Sequence, residues 1–317
     1  MMRPNKLSAA LLFLCVLLPF FCAVCAGCRK AQSDTGAAVV CTTYPVWLLT
    51  RSLMRGAENP PDLSLLIPPD TGCPHDYALS PRELLKVSGT KHLLLIRNGG
   101  NIDAAVFEAV EKANPGLTGL NASGLEAEHG HEYGHEHDHG HCHDHGHGPD
   151  PHMFAAPEAA MTMVSRIASG LAGFDAANAA VYRKNAEELL HALASLSARW
   201  KNARKDIPVL LMHDSFRRLA EEGGMRVEGI VFEGHISELS PAEVRRLCGL
   251  VRAKGIRLLI AEPQTPDSVA ALLRSETGIR VLKLDPAASG PADVPMDHLI
   301  RTMERNIGTL LAKEPAK

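Results

Sequence analysis

No charge of either sign predominates in this chain, with 33 basic residues against 36 acidic ones among 317. A protein that grips phosphate backbones needs a basic excess, so this balance argues against a nucleic-acid partner. Beyond Thr35 no run is long and apolar enough to span a bilayer, so nothing after that point reads as a transmembrane helix. Neither a glycine-rich phosphate loop nor a nucleophile motif is evident, which removes support for nucleotide chemistry and covalent catalysis. Glycine and proline are missing from Asp175 to Lys201, where they would interrupt a helix. Histidine is the opposite case: there are 16, and nine of them crowd between His129 and His147. Imidazole is the commonest metal-binding side chain, so a metal ligand moves ahead of other ligand classes.

The first residues bear on location. Arg3 and Lys6 precede an apolar run from Leu7 to Val24, a positive segment followed by a hydrophobic one. The run closes on CAGC, Cys25 to Cys28, which resembles a bacterial lipobox with Cys28 as the lipidated residue. Cys25 stands where leucine is usual. A single membrane-spanning anchor is the alternative. Residues 1–28 are therefore expected to be a lipoprotein signal segment and 29–36 a polar tether, with the rest of the chain outside the cytoplasm. In an oxidising compartment Cys41, Cys73, Cys142 and Cys248 allow up to two disulfides, in any of three pairings.

Short apolar runs then alternate with helical stretches: AVVCTT, LSLLIP and KHLLLI, and after a long interval IPVLLM, VEGIVF, IRLLIAEP and RVLKLDP. Runs of this kind between amphipathic helices predict an α/β fold of two lobes with mostly parallel sheets. Tyr182, Leu189, Leu193, Leu196 and Trp200 form one apolar stripe, so the stretch between the two groups predicts a long connector helix. The expected layout is a first lobe over 37–174, a connector over 175–204 and a second lobe over 205–317. HDYALSPREL from His75 and HISELSPAEV from His235 echo one another. In each, Ser suits a helix N-cap, Pro the first helical position, and Glu three residues on completes a capping box.

The conspicuous tract, 128–148, carries His129, His131, His135, His137, His139, His141, His143, His145 and His147 among Gly, Asp and Glu. With only Tyr133 to pack, it cannot offset its ordering entropy and is expected to be a loop that captures metal loosely. A tight site needs ligands on rigid elements. His75 in CPHDY, His152 in DPHMF and His213 in LLMHDSF each lie at a strand end or helix start, where open α/β sheets place ligands. His92, His191 and His298 read as structural or surface residues, and His235, beside Glu233, as a candidate for lining the cleft or handing over metal.

VVCTTYP, LIPPDTGCPHDYALSP, DPHMFAAPE, HDSF, EGHISELSP, IAEPQ and LKLDP occur in the order found in metal-binding receptors of bacterial ABC importers, the cluster A-I (ZnuA-like) solute-binding proteins. The resemblance runs from about Val39 to Leu310 and departs at RNGGNID, Arg97 to Asp103. It implies two α/β lobes holding one metal in the cleft between them, with His75, His152, His213 and Asp285 as ligands. It also implies a monomeric receptor that delivers its cargo to a membrane permease with a cytoplasmic ATPase, and that is not an enzyme. Histidine at the third position, where manganese carriers tend to have a carboxylate, implies Zn(II), and three imidazoles with one carboxylate suit four-coordinate zinc. Manganese, iron or nickel is the alternative cargo. Two other classes stay open: a zinc hydrolase, which needs an open coordination position, and a metal-buffering or surface-attachment protein, which needs only the tract and the anchor.

Overall fold

The computed structural model describes residues 36–71, 77–126, 150–203, 206–232 and 239–312. Cys28, His75, Cys73, Cys142, His235 and the nine histidines from His129 to His147 lie outside the described residues.

Each of the seven apolar runs contains a strand. β1 (Ala37–Cys41), β2 (Asp62–Leu65), β3 (His92–Arg97) and β4 (Thr118–Asn121) form one sheet in the order β2-β1-β3-β4. β5 (Pro208–His213), β6 (Arg226–Phe232), β7 (Leu258–Ala261) and β8 (Arg280–Lys283) form the other in the order β6-β5-β7-β8. Every pairing is parallel. The two orders match strand for strand, so the short sequence echo marks a repeated layout. The central strands are almost wholly apolar because both faces are covered. Val39 and Cys41 face the main core while Val40 faces an outer cluster; in β5, Val209 and Leu211 face the main core while Leu210 and Met212 face outward. β4, whose sequence is TGLN, was not among the predicted strands. It pairs only with β3 at the sheet edge and stays partly exposed, so nothing required it to be an apolar run.

Helices cover both sheets: α1 (Tyr44–Leu53), α2 (Pro81–Ser88), α3 (Ala104–Ala113), α4 (Pro157–Phe174), α5 (Ala179–Asn202), α6 (Arg217–Glu222), α7 (Pro241–Lys254), α8 (Asp267–Thr277) and α9 (His298–Leu311). The connector α5 starts four residues later than Asp175. Asp175 instead accepts hydrogen bonds from Asn178 Nδ2 at 2.8 Å and Tyr182 Oη at 2.5 Å, tying down the 3₁₀ turn that precedes the helix. Tyr182, Leu193, Leu196 and Trp200 of its stripe are buried and Leu189 is partly so. The main core runs without a break from Val39 and Leu49 through Ile167 and Leu193 to Leu211 and Ile260, so both sheets share it. A strap after β8 adds polar ties: Tyr44 Oη donates to Pro291 O at 2.7 Å, and Arg51 Nη1 to Ala292 O at 3.2 Å.

Both echoed motifs cap helices as predicted. Ser80 N donates to Glu83 Oε2 at 2.7 Å while Glu83 N donates to Ser80 Oγ at 3.4 Å; Ser240 and Glu243 repeat this at 2.7 and 3.3 Å. Replacing Ser80 by alanine is expected to cost about 1 kcal/mol, read as a lower urea midpoint with an unchanged slope.

Of the four cysteines that allow up to two disulfides, Cys41 and Cys248 are buried free thiols and take part in none. Burial pushes the Cys41 thiol up to about 12, the more so because only Thr50 hydrogen-bonds it in compensation. It is packing material at the C-terminal end of β1.

Candidate metal centre

In both sheets the second strand lies on one side of the first and the third on the other, which opens a crevice at the carboxyl ends of the two middle strands. In the second lobe those strands are β5 and β7. His213 is the last residue of β5, and Glu262 directly follows β7. The extended backbone at His213 (φ −140°, ψ 161°) gives way at once to a 3₁₀ turn, Asp214–Phe216, pinned by buried Phe216. His213 is thus held at the crevice with 2% of its surface exposed.

His152 reaches the same place from the other lobe. It immediately precedes the 3₁₀ turn Met153–Ala155 that leads into α4, and it is completely buried. Asn98, at the end of β3, donates through Nδ2 to Pro151 O at 3.0 Å, which anchors the segment to the first sheet. Asn98 is itself fixed by Asp103, a fully buried carboxyl that accepts from Asn98 N at 2.5 Å, Gly99 N at 3.1 Å and Thr42 Oγ1 at 2.5 Å. Burial raises the Asp103 pKa, although these hydrogen bonds pull the other way. RNGGNID, Arg97 to Asp103, supplies this support.

The two imidazoles meet with ring centroids 5.3 Å apart and planes at 82°. Their Nδ1 atoms face carboxyl groups. Asp150 Oδ1 lies 2.9 Å from His152 Nδ1 and also accepts His152 N–H at 2.9 Å. Asp214 Oδ1 lies 3.2 Å from His213 Nδ1 and 3.6 Å from His152 Nδ1, and Glu262 Oε1 lies 3.6 Å from His213 Nδ1. Burial would raise the Asp150 pKa, but the hydrogen bonds and charge of His152, with Arg218 beside it, outweigh burial and hold it below the ordinary carboxylate value. Glu262 is 1% exposed and accepts from Ser215 Oγ and Gln264 Nε2. The buried Oδ1 of Asp214 accepts no hydrogen bond. An acceptor left in that condition costs about 1–3 kcal/mol, a cost that a cation in the crevice offsets.

His152, His213 and Asp214 form a group whose ligand atoms lie within 4.8 Å of one another. Asp285 is outside this group. Its Oδ1 accepts Ala287 N–H at 2.8 Å, and its backbone exchanges hydrogen bonds with Asn306 at 3.2 and 2.7 Å. His92 packs edge-on against Phe174, with centroids 4.4 Å apart, a structural role. Asp150, Asp214 and Glu262 are not among the residues that the sequence singles out. Their signal was only adjacency to histidine in DPH and HDSF, and a strand end in IAEPQ.

A family model described as zinc-uptake complex component A, periplasmic, matches residues 39–313. The iron-binding protein YfeA of Yersinia pestis is 22% identical over 232 residues, 70% of each chain. The zinc-binding protein AdcA of Streptococcus pyogenes is 24% identical over 311 residues, covering 87% of this chain; this chain spans 55% of AdcA. Among solved structures, the FpvC complex with Ni²⁺ from Pseudomonas aeruginosa superposes with a TM-score of 0.71 at 21% identity, covering 87% of this chain and 95% of that one.

Proposed function

The chain belongs to the periplasmic zinc-uptake component A family, and from that premise we propose that it is the extracytoplasmic Zn(II) receptor of an ABC uptake system, tethered to the membrane through Cys28. The observation that carries this reading is the buried meeting of His152 and His213 from the two lobes, beside a carboxylate oxygen that accepts no hydrogen bond. The ligands are His75, His152, His213 and Asp285. Because Asp150 holds Nδ1 of His152, and Asp214 and Glu262 face Nδ1 of His213, Nε2 of each ring is the nitrogen assigned to the metal. Partners of this kind set ring orientation and raise ligand basicity. Four protein ligands leave no position at which to activate water, so the role is transport of zinc and not hydrolysis. AdcA supports zinc as the cargo and His213 at the third position agrees with it; YfeA and FpvC keep iron and nickel as the outcomes to test against.

The tract from His129 to His147 serves as a loose collector, its imidazoles neutral and metal-competent near pH 7 and protonated well below pH 6. Release to the permease proceeds by local displacement of His213 or Asp285, since the shared core and the strap ties oppose wide opening of the lobes. Deleting 128–148 is expected to leave one tightly bound zinc per chain while lowering total stoichiometry and slowing loading at scarce zinc. Metal content by native mass spectrometry with competing Mn, Fe and Ni checks this. Loss of the tight zinc on deletion, or preferential retention of another metal, overturns it.

A further inference from the structure

Arg218 lies on α6, five residues after His213, yet its guanidinium reaches the segment that carries His152. Nε and Nη2 donate to the carbonyl oxygen of Asp150 at 3.0 and 2.6 Å, and Nε lies 3.4 Å from Asp150 Oδ2. Asp150 is the residue whose other carboxylate oxygen holds His152 by both its backbone N–H and its ring Nδ1. The Asp150 side chain is 9% exposed and that of Arg218 29%. A ring of contacts therefore closes across the cleft: from His213 along its own turn to Arg218, across to Asp150, and through Asp150 to His152. Buried Phe216, between His213 and Arg218, keeps the covalent part of that ring rigid.

From this geometry, and resting on the zinc-receptor reading above, we propose that Arg218 is an interlobe positioning residue that locks His152 in register with His213 and so governs how fast the bound ion is released. Without Arg218, Asp150 keeps its hydrogen bonds to His152 but loses its attachment to the second lobe. His152 then follows the first lobe alone, and the two imidazoles no longer move as a pair. Arginine suits this task better than lysine because its planar fork places two N–H groups on one acceptor while a third contact faces the carboxylate.

The test uses the full chain loaded with one equivalent of metal. Zinc release into excess EDTA is followed for the wild type and for Arg218→Ala, Arg218→Lys, Asp150→Asn and the Arg218→Ala/Asp150→Asn double variant, with His213→Ala as a control. Co(II) absorption in the visible range reports ligand geometry, and the apo melting temperature reports general packing. Arg218→Ala is expected to speed release and weaken affinity by about 10–100-fold, the range for residues that orient a metal ligand, with a changed Co(II) spectrum and an apo melting temperature near that of the wild type. Arg218→Lys should fall between the two, and the double variant should lose less than the product of the single effects, because both changes cut one connection. Wild-type release and an unaltered Co(II) spectrum in Arg218→Ala, with His213→Ala having lost tight zinc, overturn the positioning role alone. Tight zinc retained by His213→Ala overturns the receptor site on which it rests. Should Arg218→Ala melt early, Arg218→Lys and Asp150→Asn decide the matter, and wild-type release in both counts against the proposal.

Discussion

Replacing His213 by alanine is expected to abolish tight zinc binding, with a loss larger than the roughly 100-fold that follows removal of a residue supporting a ligand. His213 closes the strand at the switch point of the second sheet and is 2% exposed. Asp214 and Glu262 are close, but both face Nδ1, and Glu262 is held by Ser215 and Gln264. Under the proposed ligand set Asp214 only faces Nδ1 of His213, so Asp214→Ala is expected to cost about 10–100-fold. Isothermal titration with a competing chelator separates the two. Zinc should also stabilise the wild type against heat by an amount that grows with free zinc, about 2.7 kcal/mol at a hundred times Kd, and His213→Ala should lose that gain.

The second large effect concerns stability. Trp200 is fully buried near the end of the connector helix, donates through Nε1 to Leu219 O at 2.7 Å, and lies against Gly223, where an added Cβ would collide with its ring. It therefore joins α5 to α6, the helix that carries Arg218 and follows His213. Trp200→Ala is expected to cost about 3–5 kcal/mol, from lost apolar burial and the cavity left behind. Chemical denaturation checks this, and a cost below 1 kcal/mol would mean that the connector does not secure the second lobe. A change this far from the cleft should weaken zinc binding only through the stability of α6.

The features legible in the sequence were those with a strong local cause. Central parallel strands are buried on both faces, so they read as continuous apolar runs; the connector buries one stripe, so its period was visible. Ser80 and Ser240 cap helices through contacts three residues apart, which a linear reading captures. The start of α5 was misplaced because Asp175 sits in a side-chain-stabilised turn that resembles a helix N-terminus in composition. β4 escaped because an edge strand has only one neighbour to satisfy. At the site, His152 and His213 stood out by residue type and position. Asp150, Asp214, Glu262 and Arg218 did not, since carboxylates and arginines are common on surfaces. What distinguishes these four is burial or contact across 47 to 68 residues of chain, as with Ser215 to Glu262 and Arg218 to Asp150, which no local pattern encodes.

The central claim is that the transported ion sits on isolated histidines contributed by both lobes and not in the histidine-rich tract. X-ray absorption at the zinc edge, on protein lacking 128–148 and loaded with one equivalent, tests it most directly. The account predicts three imidazole nitrogens and one carboxylate oxygen at about 2.0–2.2 Å, and a lower nitrogen count or no retained zinc in His213→Ala. A deleted protein that holds no zinc, or a spectrum unchanged by His213→Ala, would contradict it.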